Sequence, residues 1–168
     1  SPDGAFVYVR GGYYGGTLNT YARDGVTGDL TYLRRRSYGD STFTLSPDGL
    51  TMYATSYDDD RVDVLARDVI AGSMSYVQTL LTSDGVEGVN NVRKVVQSPD
   101  GLSVYMISSD QLAVFDRDPS TGLLTFRSMM LHDAGAGDAL ERGLHGMVVS
   151  SDSQFLYAVG KSQDGELA

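Results

Sequence analysis

Three polar residues lie at matching positions of an internal repeat, each five residues before a serine that opens a turn motif. They are Ser41, Arg93 and His145, and Glu141 lies just upstream of the histidine. A histidine can act as a general base toward water, and an arginine can stabilise negative charge that develops on a carbonyl oxygen. His145, Arg93 and Glu141 are therefore the candidate catalytic residues of a hydrolytic site.

Two acidic stretches could bind a metal ion. The first is Asp58, Asp59 and Asp60, and the second, "HDAGAGDALE", contributes Asp133, Asp138 and Glu141. Calcium takes carboxylate and carbonyl oxygens from loops of this kind. Neither stretch has the spacing of an EF-hand, so solvated turn acids are the main expectation. A calcium site at Asp58 to Asp60 is the alternative, and no other cofactor is expected.

Bulk composition removes several classes of function. The 168-residue chain has a net charge of −9, whereas a nucleic-acid interface needs clustered Lys and Arg to neutralise phosphates. Its one basic run, Arg34 to Arg36, is expected to be a solvated strand end. The chain has no cysteine, which excludes disulfides and thiolate chemistry. No apolar stretch approaches the roughly 20 residues of a membrane helix, so membrane insertion is not expected.

The elements that must position the candidate residues follow from the repeat. "SPDG" begins at Ser1, Ser46 and Ser98, and a decayed copy, "SSDS", begins at Ser150. A tyrosine comes seven residues after each start, in "FVYV", "TMYA", "SVYM" and "FLYA". Two further landmarks, such as "LARD" and "AGSMSYV", follow in phase. Motifs that keep a common phase over about 50 residues indicate one structural unit used repeatedly.

Each unit contains about four short β-rich runs separated by Gly, Asp, Ser or Pro turns. Four strands in about 50 residues are typical of a β-propeller blade, an antiparallel sheet that stacks on its neighbours around a central axis. The predicted fold class is therefore all-β, a propeller of four-stranded antiparallel blades.

The "SPDG" motif has the residues of a tight turn between the innermost strand and the second strand. Proline presets φ, the aspartate side chain can bond the turn backbone, and glycine accepts a positive φ. This aspartate is interpreted as a turn residue and not as a catalyst, because a catalytic acid is not needed in every blade. The recurring "RD..TG" segment is interpreted as the hairpin between the third and fourth strands.

The phase of the repeat predicts the blade boundaries. We expect a partial blade over residues 1–40, complete blades over 41–89 and 90–143, and a partial blade over 144–168. An open propeller exposes strand edges and apolar faces, so the chain alone is not expected to close a ring. The expected partners are the rest of the same propeller chain or other protein subunits.

The sequence resembles the lactonase-type β-propeller family, which includes bacterial 6-phosphogluconolactonase. The resemblance rests on "SPDG" before an aromatic strand, on "LAVFDRDPSTGLLTF" from Leu112, and on "LLTSDGVEGVNNVRKVVQSPDG" from Leu80. The last segment is most similar to the repeat arrays of large extracellular lactonase-like proteins. The resemblance implies a seven-bladed ring, and His145 resembles the histidine that precedes the inner strand in active lactonases.

Two functions are open at this point. Arginine at the position of Arg93 recurs as a repeat consensus in those arrays, and the first unit offers only Ser41 there. The preferred hypothesis is therefore a non-catalytic propeller module, a scaffold or binding platform in a larger extracellular or cell-surface protein. The alternative is a lactonase that hydrolyses a sugar lactone, such as 6-phosphogluconolactone, at the channel mouth, in the periplasm or cytoplasm.

Overall fold

The computed structural model describes residues 1–12, 16–38, 42–56, 58–108, 111–131 and 144–160. These residues form four antiparallel sheets, numbered 1 to 4 in chain order. Sheet 1 contains β1 (Phe6–Gly11), β2 (Thr17–Arg23) and β3 (Leu30–Ser37). Sheet 2 contains β4 (Thr42–Leu45), β5 (Thr51–Ser56), β6 (Arg61–Arg67) and β7 (Met74–Leu81). Sheet 3 contains β8 (Lys94–Gln97), β9 (Ser103–Ile107), β10 (Gln111–Arg117) and β11 (Leu124–Leu131), and sheet 4 contains β12 (Leu144–Val149) and β13 (Leu156–Gly160).

In every sheet the strands are hydrogen-bonded in sequence order. Sheets 2 and 3 have the predicted four strands, whereas three strands are described for sheet 1 and two for sheet 4. The prediction of an all-β fold built from four-stranded antiparallel sheets is confirmed. The blade boundaries at residues 40, 89 and 143 stay predictions, because two of those positions lie outside the described residues.

The "SPDG" turns have the geometry that their residues predict. One carboxylate oxygen of each aspartate, Oδ1 of Asp3, Asp48, Asp100 and Asp152, accepts a backbone N–H from two residues later. Three of the turns end on a glycine with φ between 69° and 78°, and Ser153 holds φ 60° in the decayed copy. The turn interpretation of the aspartate is therefore confirmed.

The "RD..TG" hairpins are confirmed in the same way. Oδ1 of Asp24, Asp68 and Asp118 accepts the N–H groups of the residues two and three positions later. Each hairpin ends on a glycine with φ between 66° and 81°. An Asp side chain that bonds the backbone two residues on is a common turn device, so this hairpin is specified locally.

Adjacent sheets pack face to face. Leu18 of sheet 1 packs with Met52 and Leu65 of sheet 2. Val62 and Val64 of sheet 2 face a core that contains Phe115 of sheet 3, with these three side chains fully buried. Further apolar contacts join sheet 3 to sheet 4. A fully buried side chain of this size contributes about 1.5–3 kcal/mol, so stacking of sheets is the main source of stability.

The linker between sheets 2 and 3 spans residues 82–93 and begins with a short 3-10 turn at Thr82–Asp84. Val89 and Val92 are buried in the core between the two sheets. Gly88 has φ +78°, and a Cβ atom there would lie 2.4 Å from the Cβ of Ala113. The linker is thus part of the packed structure, because only glycine fits at its closest approach to β10.

Two predictions about the surface can be compared with the structure. Arg35 and Arg36 are exposed, as expected for a solvated strand end, but Arg34 is partly buried and donates from Nη2 to the carbonyl oxygen of Ala71 in sheet 2 at 2.9 Å. The basic run therefore contributes one contact between sheets. Among the described residues, no helix has the length and apolar character needed to span a bilayer.

Candidate functional site

The candidate residues that the structure describes lie at one end of the sheets. The "SPDG" turns and "RD..TG" hairpins occupy one end, and the opposite end contains the β5–β6 hairpin, the 82–93 linker and the first residues of β4, β8 and β12. We call this opposite end the rim. It contains Asp58 to Asp60, Arg93 and the start of β12, so the described candidate residues share one end of the sheets.

Arg93 directly precedes β8, the innermost strand of sheet 3. Its backbone N–H donates to the carbonyl oxygen of Ile107 at 2.8 Å, which continues the ladder between β8 and β9. Its side chain is exposed. The structure thus places this exposed arginine at the rim.

His145 is the second residue of β12, at an irregularity in the pairing with β13 between Leu144 and Gly146. The strand β12 contacts β8. His145 and Arg93 therefore come from the beginnings of neighbouring inner strands, as the repeat predicts. Ser41 and Glu141 lie outside the described residues, as do Asp133 and Asp138. The catalytic roles stay predictions.

The three carboxylates of the predicted calcium site are on the β5–β6 hairpin. Asp59 Oδ2 accepts the hydroxyl of Ser56 at 2.8 Å and lies 3.5 Å from Nη1 of Arg61. Asp60 Oδ1 accepts the N–H of Asn91 from the linker at 2.8 Å. Two of the three carboxylates are therefore engaged with protein donors.

Arg61 also pairs with a buried carboxylate beneath this hairpin. Its Nε lies 3.0 Å from Oδ2 of Asp63, whose other oxygen accepts the hydroxyl of Thr79 at 2.7 Å. In the part of the chain that the structure describes, no group of three or more His, Cys, Asp or Glu residues could hold a metal ion. The calcium site at Asp58 to Asp60 stays a prediction.

Sequence reasoning missed a set of ion pairs between neighbouring sheets. The arginine of each "RD" landmark in sheets 2 and 3 reaches back to the "SPDG" aspartate of the preceding sheet. Arg67 Nη2 lies 2.6 Å from Asp3 Oδ2, and Arg117 Nη2 lies 2.9 Å from Asp48 Oδ2. Both arginines are buried. The signal was present in the sequence, because opposite charges recur in phase once in each unit.

The repeated tyrosine also contributes to these contacts. Tyr8 Oη accepts a hydrogen bond from Nε of Arg67 at 2.9 Å, and Tyr53 lies in the core between sheets 2 and 3. Burial raises the pKa of Tyr53 to about 12 and raises that of Tyr8. Burial opposes ionisation of Asp48, yet bonds from Ser46 and Leu50 and the charge of Arg117 hold its pKa below the usual value.

A cavity of about 590 Å³ lies between sheets 1 and 2, beside β1 and β4. Its apolar lining includes Phe6, Tyr8, Leu18, Phe43, Leu45 and Met52, with Arg10 and Thr42 among its polar residues. The sequence did not predict this cavity, because the cavity depends on how two sheets stack.

The cavity adjoins the inner edge of β1. Among the described residues no strand pairs with this edge, whereas β4 pairs with β5 and β8 pairs with β9 at the equivalent edges. The N–H of Arg23 donates to the carbonyl oxygen of Ala5, and hydrogen-bonded pairs alternate along an antiparallel ladder. The backbone groups of Tyr8 and Arg10 therefore point away from β2, toward the open edge.

Comparison with known proteins gives matches of structure. No family model and no curated protein matches the sequence. Periplasmic gluconolactonase of Pseudomonas aeruginosa matches 79% of this chain and 38% of its own, with 26% identity and a TM-score of 0.63. A Bacteroides fragilis protein assigned as a 6-phosphogluconolactonase matches 100% of this chain and 51% of its own, with 17% identity and a TM-score of 0.67. The fold is that of the lactonase-type β-propellers.

A third structure shows that a likeness of fold extends beyond lactonases. Sqt1 of Chaetomium thermophilum, bound to the N-terminus of ribosomal protein L10, matches 99% of this chain and 43% of its own, with 18% identity and a TM-score of 0.66. The chain spans about half, or less, of each of these three structures. A likeness of fold to this chain is therefore found both in a gluconolactonase and in a protein bound to the N-terminus of a ribosomal protein.

Proposed function

We propose that this propeller is a non-catalytic binding module in which sheet 1 takes up an extended segment along β1. The observation that carries the proposal is the cavity of about 590 Å³ beside the open edge of β1. An open sheet edge supplies backbone hydrogen bonds to an added strand, and the adjacent cavity selects its side chains. The larger extracellular or cell-surface protein envisaged from the sequence is the proposed setting.

The equivalent strands of sheets 2 and 3 indicate what the site would accept. β8 has the sequence KVVQ and pairs antiparallel with β9, so that Val95 faces the core between sheets 2 and 3 and Val96 faces sheet 4. A segment with small apolar side chains on both faces would pair with β1 and fill the cavity with one of them. The occupant is therefore an extended peptide with Val or a similar residue at its centre.

The test uses a fluorescein-labelled peptide, RKVVQS, which has the sequence of residues 93–98. Arg10→Pro removes an N–H that points to the open edge and leaves the β1–β2 hydrogen bonds in place, so it blocks strand addition. Arg10→Ala is the matched control, because it removes the same side chain and keeps the N–H. Fluorescence anisotropy measures binding of the peptide to the wild type and both variants.

We expect saturable binding to the wild type and to Arg10→Ala, and a loss of about tenfold or more for Arg10→Pro. Equal affinity of the two variants would show that the open edge is not the binding site. Failure of the wild type to bind at all would overturn the proposed function. Circular dichroism spectra of both variants report whether the sheets are intact.

A lactonase is the second candidate, and one arrangement favours it. Arg93 and His145 come from the beginnings of neighbouring inner strands, and the structure with 26% identity is a gluconolactonase. In this mechanism His145 would take a proton from water while the hydroxide attacks the lactone carbonyl, and Arg93 would stabilise the oxyanion. When the oxyanion collapses and the ring C–O bond breaks, His145 would return the proton to the leaving ring oxygen. Because that gluconolactonase is periplasmic, the lactonase hypothesis implies a periplasmic location.

A further inference from the structure

A second cavity, of about 210 Å³, lies between sheets 2 and 3 at the end that carries the "SPDG" turns. We call it the turn-end groove. Sheet 3 supplies one side of it, from Arg117 and the hairpin residues 119–122. Sheet 2 supplies the other side, from Leu50, Thr51, Ala66 and Arg67. The groove is therefore bordered by two guanidinium groups and by short apolar and hydroxyl side chains.

The repeat shows which side chain lies at the equivalent place between sheets 1 and 2. Phe6 and Thr51 each come five residues after the serine that opens an "SPDG" turn. A Cβ atom on Gly72 would lie 2.5 Å from the ring of Phe6, and one on Gly122 would lie 2.7 Å from Oγ1 of Thr51. The two side chains thus approach the same glycine of the following hairpin. A ring in one interface is replaced by a small hydroxyl side chain in the other.

The buried arginines also meet different groups at this place. Cζ of Arg67 lies 5.3 Å from the centroid of the Phe6 ring, a distance at which a cation is attracted to the face of a ring. Arg117 has the position of Arg67 in the next sheet, and its Nη2 donates to Oγ1 of Thr51 at 3.1 Å. Arg117 therefore meets a hydroxyl group where Arg67 meets an aromatic ring.

The turn-end groove has a buried floor and an exposed mouth. Thr51, Arg67 and Arg117 at the floor are buried, whereas Leu50 and Pro119 at the mouth are exposed. A ring that enters from solvent would pass between these two apolar side chains before it reaches the arginines. The groove thus combines access from solvent with a cationic floor.

The charges around the groove favour a neutral ligand. Arg117 Nη2 lies 2.9 Å from Oδ2 of Asp48, and Arg67 is paired in the same way with Asp3. An anion would have to compete with these carboxylates and would also meet the exposed Asp118 of the hairpin. The face of a neutral ring is attracted to a guanidinium group without displacing its carboxylate partner.

We propose that the turn-end groove binds a small neutral aromatic compound, a single ring of the phenol class, with the ring face toward Arg117. The ring takes the place between sheets 2 and 3 that Phe6 takes between sheets 1 and 2. Pockets for drug-sized ligands have volumes of about 300–1,000 Å³, so this smaller groove suits one ring. The site lies at the opposite end from the rim and does not depend on peptide binding at β1.

The experiment titrates the ¹⁵N-labelled protein with phenol and follows the backbone amide signals by NMR. We expect saturable shifts at Leu50, Ser120 and Gly122, with a dissociation constant on the order of 1 mM, because one ring buries little surface. Cyclohexanol is the matched ligand without a π face and should bind about threefold more weakly. Shifts confined to Leu18 and Leu45 would place phenol in the cavity beside β1 and would overturn the proposal.

Substitution of Thr51 tests whether the groove itself holds the ring. Thr51→Phe places in the groove the ring that Phe6 supplies in the preceding sheet, so phenol binding there should weaken about tenfold or more. Thr51→Val is the matched control, because valine has nearly the shape of threonine and leaves the groove open. Its affinity for phenol should stay within about twofold of the wild type.

A second pair of variants leaves the buried floor unchanged. Leu50→Ala removes an exposed wall of the groove and should weaken phenol binding about threefold. Leu102→Ala is its control, because Leu102 has the same position in the next turn and the same exposure but does not line the groove. Equal losses for Leu50→Ala and Leu102→Ala would overturn the proposal. So would unchanged binding to folded Thr51→Phe, or no shift at the groove in the wild type.

Discussion

At the scale of the residue, the "SPDG" aspartate is a structural group with two roles. Its Oδ1 atom forms the local turn, and in sheets 1 and 2 its Oδ2 atom holds the arginine of the next sheet. The arginine is the buried member of each pair, with 1% and 2% of its side chain exposed, whereas the aspartates are 40% and 36% exposed. Substitution of the aspartate therefore leaves a buried arginine without its charged partner. Substitution of the arginine leaves an aspartate carboxylate that water can hydrate.

Arg117→Met should destabilise the protein through lost bonds between sheets 2 and 3. Arg117 donates to Asp48, to the hydroxyl of Thr51 and to the carbonyl oxygen of Gly101. Methionine keeps much of the apolar stem, and Asp48 can be hydrated, so we expect a loss of about 1–3 kcal/mol in the free energy of unfolding. Urea denaturation at a fixed protein concentration measures it.

The control for that substitution is Arg127→Met. Arg127 pairs with Asp116 on the surface, where the two side chains are 49% and 50% exposed. An exposed pair contributes about 0–1 kcal/mol, so this variant should unfold nearly as the wild type does. Equal losses for both variants would show that the contact between sheets is no stronger than a surface pair.

At the scale of the element, the β5–β6 hairpin and the 82–93 linker hold each other in place at the rim. Asp60 has φ 48°, and its carboxylate accepts the N–H of Asn91, which has φ 50°. Two residues in the left-handed region thus face each other across one hydrogen bond. The Asp60 carboxylate therefore has a structural role in joining the hairpin to the linker, and this role needs no metal ion.

Calcium should have little effect on the stability of this hairpin. Asp59 and Asp60 already accept protein donors, so a cation would have to displace Ser56 and Asn91. We expect millimolar calcium to shift the melting temperature by less than about 2 °C. A rise of many degrees that Asp59→Ala abolishes, and that Asp84→Ala in the linker does not, would establish the alternative of a calcium site.

At the scale of the whole molecule, function depends on what the stacked sheets leave open. Stacking buries Arg67, Arg117, Tyr53 and the apolar faces between neighbouring sheets, and among the described residues it leaves the rim and the edge of β1 accessible. The proposed peptide site uses the edge of β1. The rim is the surface on which the lactonase hypothesis depends.

We expect no His145-dependent lactonase activity. Each positioned base or oxyanion donor typically contributes about 100-fold to the rate. The described part of the rim supplies one arginine, Arg93, and an arginine at this position is already explained as a consensus residue of the repeat. The assay compares the wild type with His145→Ala on 6-phosphogluconolactone and on simpler aldonolactones. Matched melting temperatures of the two proteins are the control. A wild-type rate well above spontaneous hydrolysis that is lost in His145→Ala would favour the lactonase hypothesis over the non-catalytic binding module.

The sequence by itself determined the repeating unit. Turn chemistry is local, since Pro, Asp and Gly act on backbone atoms within three or four residues, and the alternation of side chains along a strand has a period of two. The strands, the "SPDG" turns, the "RD..TG" hairpins and the order of strands in each sheet were therefore all predictable. So was the placement of Arg93 and His145 at the beginnings of inner strands.

Only the tertiary structure decided which groups meet between sheets. Arg117 and Asp48 are 69 residues apart, and their contact depends on how far one sheet is rotated and translated against the next. The same holds for the cavity beside β1 and for the contact of Asp60 with the linker. These features depend on the packing of whole faces, which a pattern of residues along one strand does not specify, because many different stackings bury the same apolar side chains.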